Sequence, residues 1–192
     1  MYPFNNQNNL PNLKSEGSGN TLIYTTPVEK AVVNLNDEGE VIDIQHTDLT
    51  TGESITIEHT QAKHVVVGEK NYARDVYHHL GPNPKTHLQL RLGLTIHRGE
   101  GTWSSLPHSF ENFPQPDFEE TFFYILKGGP QKGVQIGRGQ WCDGSEADAV
   151  WQISNRTFST IPLGYHPVVG EPDVQVRYIW AYIAKKKEWE KI

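Results

Sequence analysis

The sequence predicts an all-β fold, a sandwich or barrel, and three observations carry that reading. Short segments with an apolar residue at every second position recur along the chain. Clusters of Gly, Pro, Asn and Asp separate them, and no convincing amphipathic helix precedes the final AKKKEWEKI. A strand turns successive side chains to opposite faces, so such alternation marks segments half-buried on a sheet.

Residues 1–20, MYPFNNQNNLPNLKSEGSGN, lack both a basic start and an apolar core. They read as a flexible arm rather than a signal peptide or a membrane span. Residues 21–192 read as a single domain that opens with β-hairpins. LIYTT and KAVVNLND alternate up to a turn at Asn36, Asp37, Glu38 and Gly39, and EVIDIQHTDL returns from it. A second turn at Thr51 and Gly52 leads to ESITIEHT, where Ile55 and Ile57 alternate with Ser54, Thr56 and Glu58. Val65, Val66 and Val67 start another strand, which Gly68 breaks. From Asn71 to Leu80 the residues Tyr72, Val76, Tyr77 and Leu80 fit neither period, so a helical turn and a strand both stay open. Gly81, Pro82, Asn83 and Pro84 end that segment.

The clearest alternation follows. His87, Gln89, Arg91, Gly93, Thr95 and His97 interleave with Leu88, Leu90, Leu92, Leu94 and Ile96. The aliphatic row suits packing between sheets, and the polar row lines either a cavity or solvent. ETFFYILK is apolar from Phe122 to Leu126, which indicates deep burial, and Gly128, Gly129 and Pro130 close it. GVQIGR is expected to pair back. WCDGSEADAVWQI then carries a polar turn from Asp143 to Asp148, TFSTIP leads into PLGYHPVV, and DVQVRYIWAYIA closes the sheet.

A chain of 192 residues with 36% hydrophobic content suits one domain with a real core. The net charge of -6, with no basic block before Lys185, Lys186 and Lys187, gives no footprint for nucleic acid. Those three lysines read as a solvated tail. Cys142 is the single cysteine, which excludes an intramolecular disulfide and makes the cytoplasm the default location.

Residues able to carry chemistry gather in WSSLPHSFENFPQPDFEETFFY, which holds His108, Glu111, Glu119 and Glu120, and in PLGYHPVV, which holds His166. Imidazole nitrogen and carboxylate oxygen suit a divalent first-row metal. His108, Glu120 and His166 come from separate segments, as ligands converging inside a barrel must. Glu120 shares its strand face with Phe122, and Glu119 points the other way. The competing reading pairs Glu120 with Arg138, Arg156 or Arg177 and leaves the histidines bonded to backbone groups. His46 and His59 read as exposed or structurally bonded, whereas His87, Arg91 and His97 are cavity candidates.

WSSLPHSFE, EETFFY and PLGYHPVV, in this order, resemble the 5-deoxy-glucuronate isomerase family, which groups with the 4-deoxy-5-ketouronate ketol-isomerases among the cupins. The resemblance runs from about Val65 to Trp180 and covers that family's C-terminal barrel; the part before it is shorter than the family's first half. It implies a cupin-type double-stranded β-helix, or jelly-roll barrel, here with additional N-terminal strands. It also implies a divalent metal, zinc ahead of iron, nickel or manganese. The family's ligands are a His-x-His loop, a glutamate opening the next strand and the histidine of a Gly-Tyr-His-Pro turn. His108, Glu120 and His166 match three of them. Phe110 stands where the second histidine belongs, and Glu111 or His97 offers a fourth donor.

The activity implied is aldose-ketose isomerisation of a sugar acid through an enediolate. Glu111 or Tyr165 would carry the proton. Arg91, His97 and Trp103 are the substrate-binding candidates, with an arginine to grip a carboxylate, for which Arg177 is the other candidate, and a tryptophan to stack on the sugar. Two other classes fit the same ligands: a cupin dioxygenase with iron on two histidines and one carboxylate, and a non-catalytic binder of a sugar or organic acid, which Phe110 suggests. The partners expected are a small-molecule sugar acid and a second copy of the chain docked through apolar N-terminal hairpins, with neither nucleic acid nor membrane.

Overall fold

The computed structural model describes residues 1–81, 87–103 and 118–183. Its strands in chain order are β1 (Phe4–Asn6), β2 (Lys14–Ser18), β3 (Thr21–Thr25), β4 (Glu29–Leu35), β5 (Val41–Asp48), β6 (Ser54–Glu58), β7 (Lys63–Val67), β8 (Arg74–Leu80), β9 (Leu90–His97), β10 (Glu120–Lys127), β11 (Lys132–Gln140), β12 (Glu146–Ser154), β13 (Thr157–Ile161), β14 (Leu163–Tyr165), β15 (Val168–Gly170) and β16 (Gln175–Ile183). They form an N-terminal sheet ordered β2-β3-β4-β5-β6, a seven-stranded sheet ordered β1-β13-β10-β16-β9-β8-β7, and a smaller sheet ordered β12-β11-β14 with β15 also on β11.

Both faces of the seven-stranded sheet are covered, and the period-two pattern of its strands says by what. Leu90, Leu92, Leu94, Phe123, Ile125, Ile179 and Ile183 pack on Leu22, Tyr24, Val33 and Ile44 of the N-terminal sheet. The alternate residues Phe122, Tyr124, Leu126, Val176, Tyr178 and Trp180 pack with Ile153 and Val168 of the smaller sheet. The second face is the interior of a cupin-type jelly-roll barrel, and the N-terminal strands are the addition that the sequence indicated. Across the barrel wall the register aligns Glu120 with Tyr182 and Tyr182 with Arg91. The next rung aligns Phe122, Trp180 and Gly93. Gly93 is required there: a Cβ on it would lie 2.2 Å from the Trp180 ring and 2.3 Å from the Tyr77 carbonyl oxygen.

Several expectations are corrected. Residues 1–20 are folded, not a flexible arm: β1 pairs in parallel with β13, and β2 forms a hairpin with β3. The polar composition hid this because the segment is held by hydrogen bonds as much as by apolar contacts. The two alternatives left open for residues 71–80 both occur in part: a short helical turn at Lys70–Tyr72 precedes the strand β8, Arg74–Leu80. Its period was unclear because the register shifts between His78 and Leu80, and a bulge breaks alternation. GVQIGR does not pair back on ETFFYILK. The chain turns through Gly128 and Gly129, both at positive φ, and β11 crosses to the opposite sheet to pair with β12, β14 and β15. The AKKKEWEKI tail, with its three lysines, lies outside the described residues from 184 onward. Among the described residues no helix is long and apolar enough to cross a membrane.

Candidate metal centre

Two adjacent carboxylates open β10, and pleating sends them to opposite faces. Glu119, on the outer side, accepts hydrogen bonds from the Asn12 backbone N–H at 2.8 Å, the Leu13 N–H at 2.6 Å and the Asn12 side-chain amide at 2.6 Å. Its carbonyl accepts from the Ile183 N–H at 3.0 Å. With the first turn of the strand pinned this way, Glu120 faces the barrel interior, where it is 6% exposed. Its Oε2 has no hydrogen-bond partner among the described residues, and burial pushes its carboxyl well above the ordinary carboxylate range.

His166 approaches from the opposite sheet, between β14 and β15. The turn needs Gly164, which sits at φ +116° with the Arg138 carbonyl oxygen 2.5 Å from where a Cβ would be. The fully buried Gln135 of β11 holds the same turn. Its amide nitrogen donates to the carbonyls of His166 at 2.7 Å, Pro167 at 3.0 Å and Ile136 at 2.9 Å, and its Oε1 accepts from the Tyr124 hydroxyl at 2.9 Å. The His166 ring, 3% exposed, meets Phe122 edge to face, and its Nε2 stands 3.8 Å from Glu120 Oε2.

This separation is too long for a hydrogen bond. It is near the roughly 3.4 Å edge between two ligand atoms bound about 2.1 Å from one tetrahedral ion. A desolvated carboxylate oxygen with no N–H or O–H donor among the described residues, beside an imidazole nitrogen, fits a divalent cation as two of its ligands. Among the described residues no group of three or more His, Cys, Asp or Glu side chains converges. His108, the third ligand expected from the sequence, lies outside the described residues, as do Phe110 and Glu111.

Arg91 is on the rung of Glu120, one strand beyond Tyr182, and is 5% exposed. Tyr165 is half-buried and ends β14 beside His166. His97 faces the interior but is six residues from Arg91 along β9, about 20 Å. It is fully buried. Its Nδ1 lies 3.0 Å from the Thr102 carbonyl and so carries the proton, and burial lowers its pKa to about 4. The structure therefore does not bring His97 to Glu120 and His166, and a small ligand at that pair does not reach it. Trp103, 39% exposed, bridges to Val169 and donates its N–H to the Asn71 carbonyl.

The arginines proposed as rival partners of Glu120 are engaged elsewhere. Arg138 is 3.7 Å from Asp148, Arg177 is 3.3 Å from Glu40, and Arg156 donates to Tyr2, Gly19 and Asn20. His46 is buried against Glu29 at 2.9 Å, and His59 shares a 3.0 Å hydrogen bond with His79. Sequence reasoning missed Gln135, Tyr124 and Tyr182. Gln135 lies in GVQIGR, where Val134 and Ile136 suggest the buried face, yet those two are only half-buried and the glutamine is the interior residue. Glycines flanking the polar position were the one usable signal.

A 5-deoxy-glucuronate isomerase of Geobacillus thermodenitrificans (strain NG80-2) is 28% identical over 127 residues, 64% of this chain and 44% of that protein. One of Geobacillus kaustophilus (strain HTA426) is 28% identical over 95 residues, 47% of this chain and 33% of that protein. The aligned part thus spans less than half the length of either curated relative. The crystal structure of an IolB-like protein from Salmonella typhimurium LT2 superposes with a TM-score of 0.56 at 17% identity, covering 93% of this chain and 73% of that one, and shares the fold. Residues 17–192 match the KduI/IolB family, and the chain belongs to it.

Proposed function

We propose that this chain is a metal-dependent aldose-ketose isomerase acting on a sugar acid, with Glu120 and His166 as two ligands of a divalent ion and His108 as the third. One observation carries the reading: a carboxylate and an imidazole from opposite sheets meet at 3.8 Å inside the barrel, and the facing carboxylate oxygen has no hydrogen-bond donor among the described residues. A buried carboxylate oxygen without a donor is costly, and perturbed buried carboxylates concentrate at functional sites. The family membership and the 5-deoxy-glucuronate isomerase relatives support the substrate class.

Bound there, a divalent ion supplies polarisation of a substrate carbonyl or hydroxyl oxygen. The protein's own groups do the rest. Arg91, two strands from Glu120 on one rung, holds the substrate carboxylate in a two-pronged hydrogen bond. Tyr182, between them, faces the carbon chain. Phe122 and Trp180 form a dry wall behind the site, which strengthens each polar contact made in it. Isomerisation moves one proton from the hydroxyl-bearing carbon to the neighbouring carbonyl carbon, while the hydroxyl proton passes between the two oxygens. Tyr165 or Glu111 serves as the relay. No atom is gained or lost, so no second substrate is required.

The test is proton exchange. The metal-reconstituted protein, incubated in D2O with an open-chain uronic acid such as 5-deoxy-glucuronate, is expected to interconvert aldose and ketose and to place deuterium on the carbon next to the carbonyl, read by NMR. Arg91→Lys is expected to raise KM about tenfold with little change in kcat, because the fork geometry is lost while the charge stays. A metal-loaded wild type that shows neither interconversion nor exchange contradicts the proposal.

A further inference from the structure

We infer that Gln135 is a positioning residue for His166: it sets where the imidazole points by gripping the turn's carbonyls. The inference rests on the reading of Glu120 and His166 as metal ligands. His166 lies in a two-residue link between two very short strands, Leu163–Tyr165 and Val168–Gly170. Both pair with β11, β14 on its Arg138 side and β15 on its Gln135 side. Between those pairings the backbone of residues 166 and 167 leaves the ladder. The Pro167 carbonyl still accepts from the Ile136 N–H of β11 at 2.9 Å, and both carbonyls lie within reach of Gln135. A single side chain meets both, the Gln135 amide at 2.7 and 3.0 Å.

Gln135 is itself held from the far side. The Tyr124 hydroxyl donates to its Oε1, and Tyr124 belongs to β10, four residues after Glu120 on the same face. The hydrogen-bonded line thus runs from the strand that carries one ligand to the turn that carries the other. All three residues are at least nine-tenths buried. Buried hydrogen bonds of this kind cannot exchange with water, so they fix orientation as well as stability. The Ile136 N–H, donating to the Pro167 carbonyl at 2.9 Å, makes the hold two-sided. Groups behind metal ligands orient them in this way, and their loss commonly weakens metal binding 10- to 100-fold.

The test separates positioning from bulk stability. Wild type, Gln135→Met and Ile153→Val are stripped of metal and titrated with Co2+, following affinity and the visible ligand-field spectrum, and each metal-free protein is also melted. Ile153 is buried in the same core and touches neither carbonyl in the hydrogen-bond network above, so its variant reports loss of packing alone. The inference expects Gln135→Met to bind Co2+ 10- to 100-fold more weakly with an altered spectrum, and Ile153→Val to keep wild-type affinity and spectrum even where its melting point falls. Wild-type affinity and spectrum in Gln135→Met, or equal weakening in both variants, overturns it. If Gln135→Met does not fold, Gln135→Glu is read against the same outcomes, since it keeps the volume and the acceptor for Tyr124 but loses the amide donor. Wild type that takes up no Co2+ overturns the metal reading first, and this inference with it.

Discussion

Glu120 is buried with one carboxylate oxygen that has no hydrogen-bond donor among the described residues, while the Glu119 side chain, one residue earlier, accepts three hydrogen bonds. The two therefore respond oppositely to neutralisation. Glu119→Ala leaves the Asn12 and Leu13 donors without an acceptor and is expected to cost roughly 3 kcal/mol of stability in urea unfolding. Glu120→Gln is expected to abolish metal uptake without lowering the stability of the metal-free protein, because it removes a buried ionisable group whose Oε2 has no donor to lose among the described residues. His97 gives the pH dependence. Burial lowers its pKa to about 4 from the ordinary histidine value of about 6.5, so folding favours the neutral ring. The stability this contributes is complete above pH 6.5 and is lost as pH falls through 4. Unfolding measured between pH 7 and pH 4 is expected to show a loss on the order of 3 kcal/mol from this group, and His97→Phe to flatten that share of the slope. An equally steep slope in the variant rejects the assignment.

At the level of strands, legibility followed the chemistry of each face. The alternation of β9 was plain because its aliphatic row meets a second apolar sheet. Its polar row, also buried, was ambiguous because Arg91, Thr95 and His97 are residues equally at home in water. On β11 hydropathy gives no sign of the inner face: Val134 and Ile136 are half-buried while Gly133, Gln135 and Gly137 are buried. Small residues there make room for close neighbours, a packing need that hydropathy does not encode. Gly93 makes the same point on β9, and it yields a prediction. Gly93→Ala forces a methyl into the Trp180 ring and the Tyr77 carbonyl, and is expected to destabilise the protein by about 3 kcal/mol on thermal or urea unfolding.

For the molecule as a whole, the N-terminal sheet and the barrel share one apolar layer, so neither buries its face alone. Removing residues 1–60 strips the cover from Leu90, Leu92, Leu94, Phe123, Ile125 and Ile179. Such a truncation is expected to bind a hydrophobic dye and to aggregate on size exclusion, whereas the full chain should unfold in a single transition. The all-β class, the hairpins of residues 21–58 and the two motif segments were legible in the sequence. The folded course of residues 1–20 was not, because its hold on the barrel depends on partners far away in the chain: Glu119 for Asn12 and Leu13, and β13 for β1. Glu120 and His166 were named in the sequence and expected to meet, an expectation the family resemblance strengthened; their spacing could not be read there, since it depends on which sheet each strand joins.

That meeting is the claim on which the functional reading depends, and metal stoichiometry addresses it most directly. Stripped protein is reconstituted with Zn2+, freed of unbound ion and assayed by elemental analysis beside His166→Ala. The account predicts one ion per wild-type chain and close to none in the variant. One ion per chain in both would contradict it.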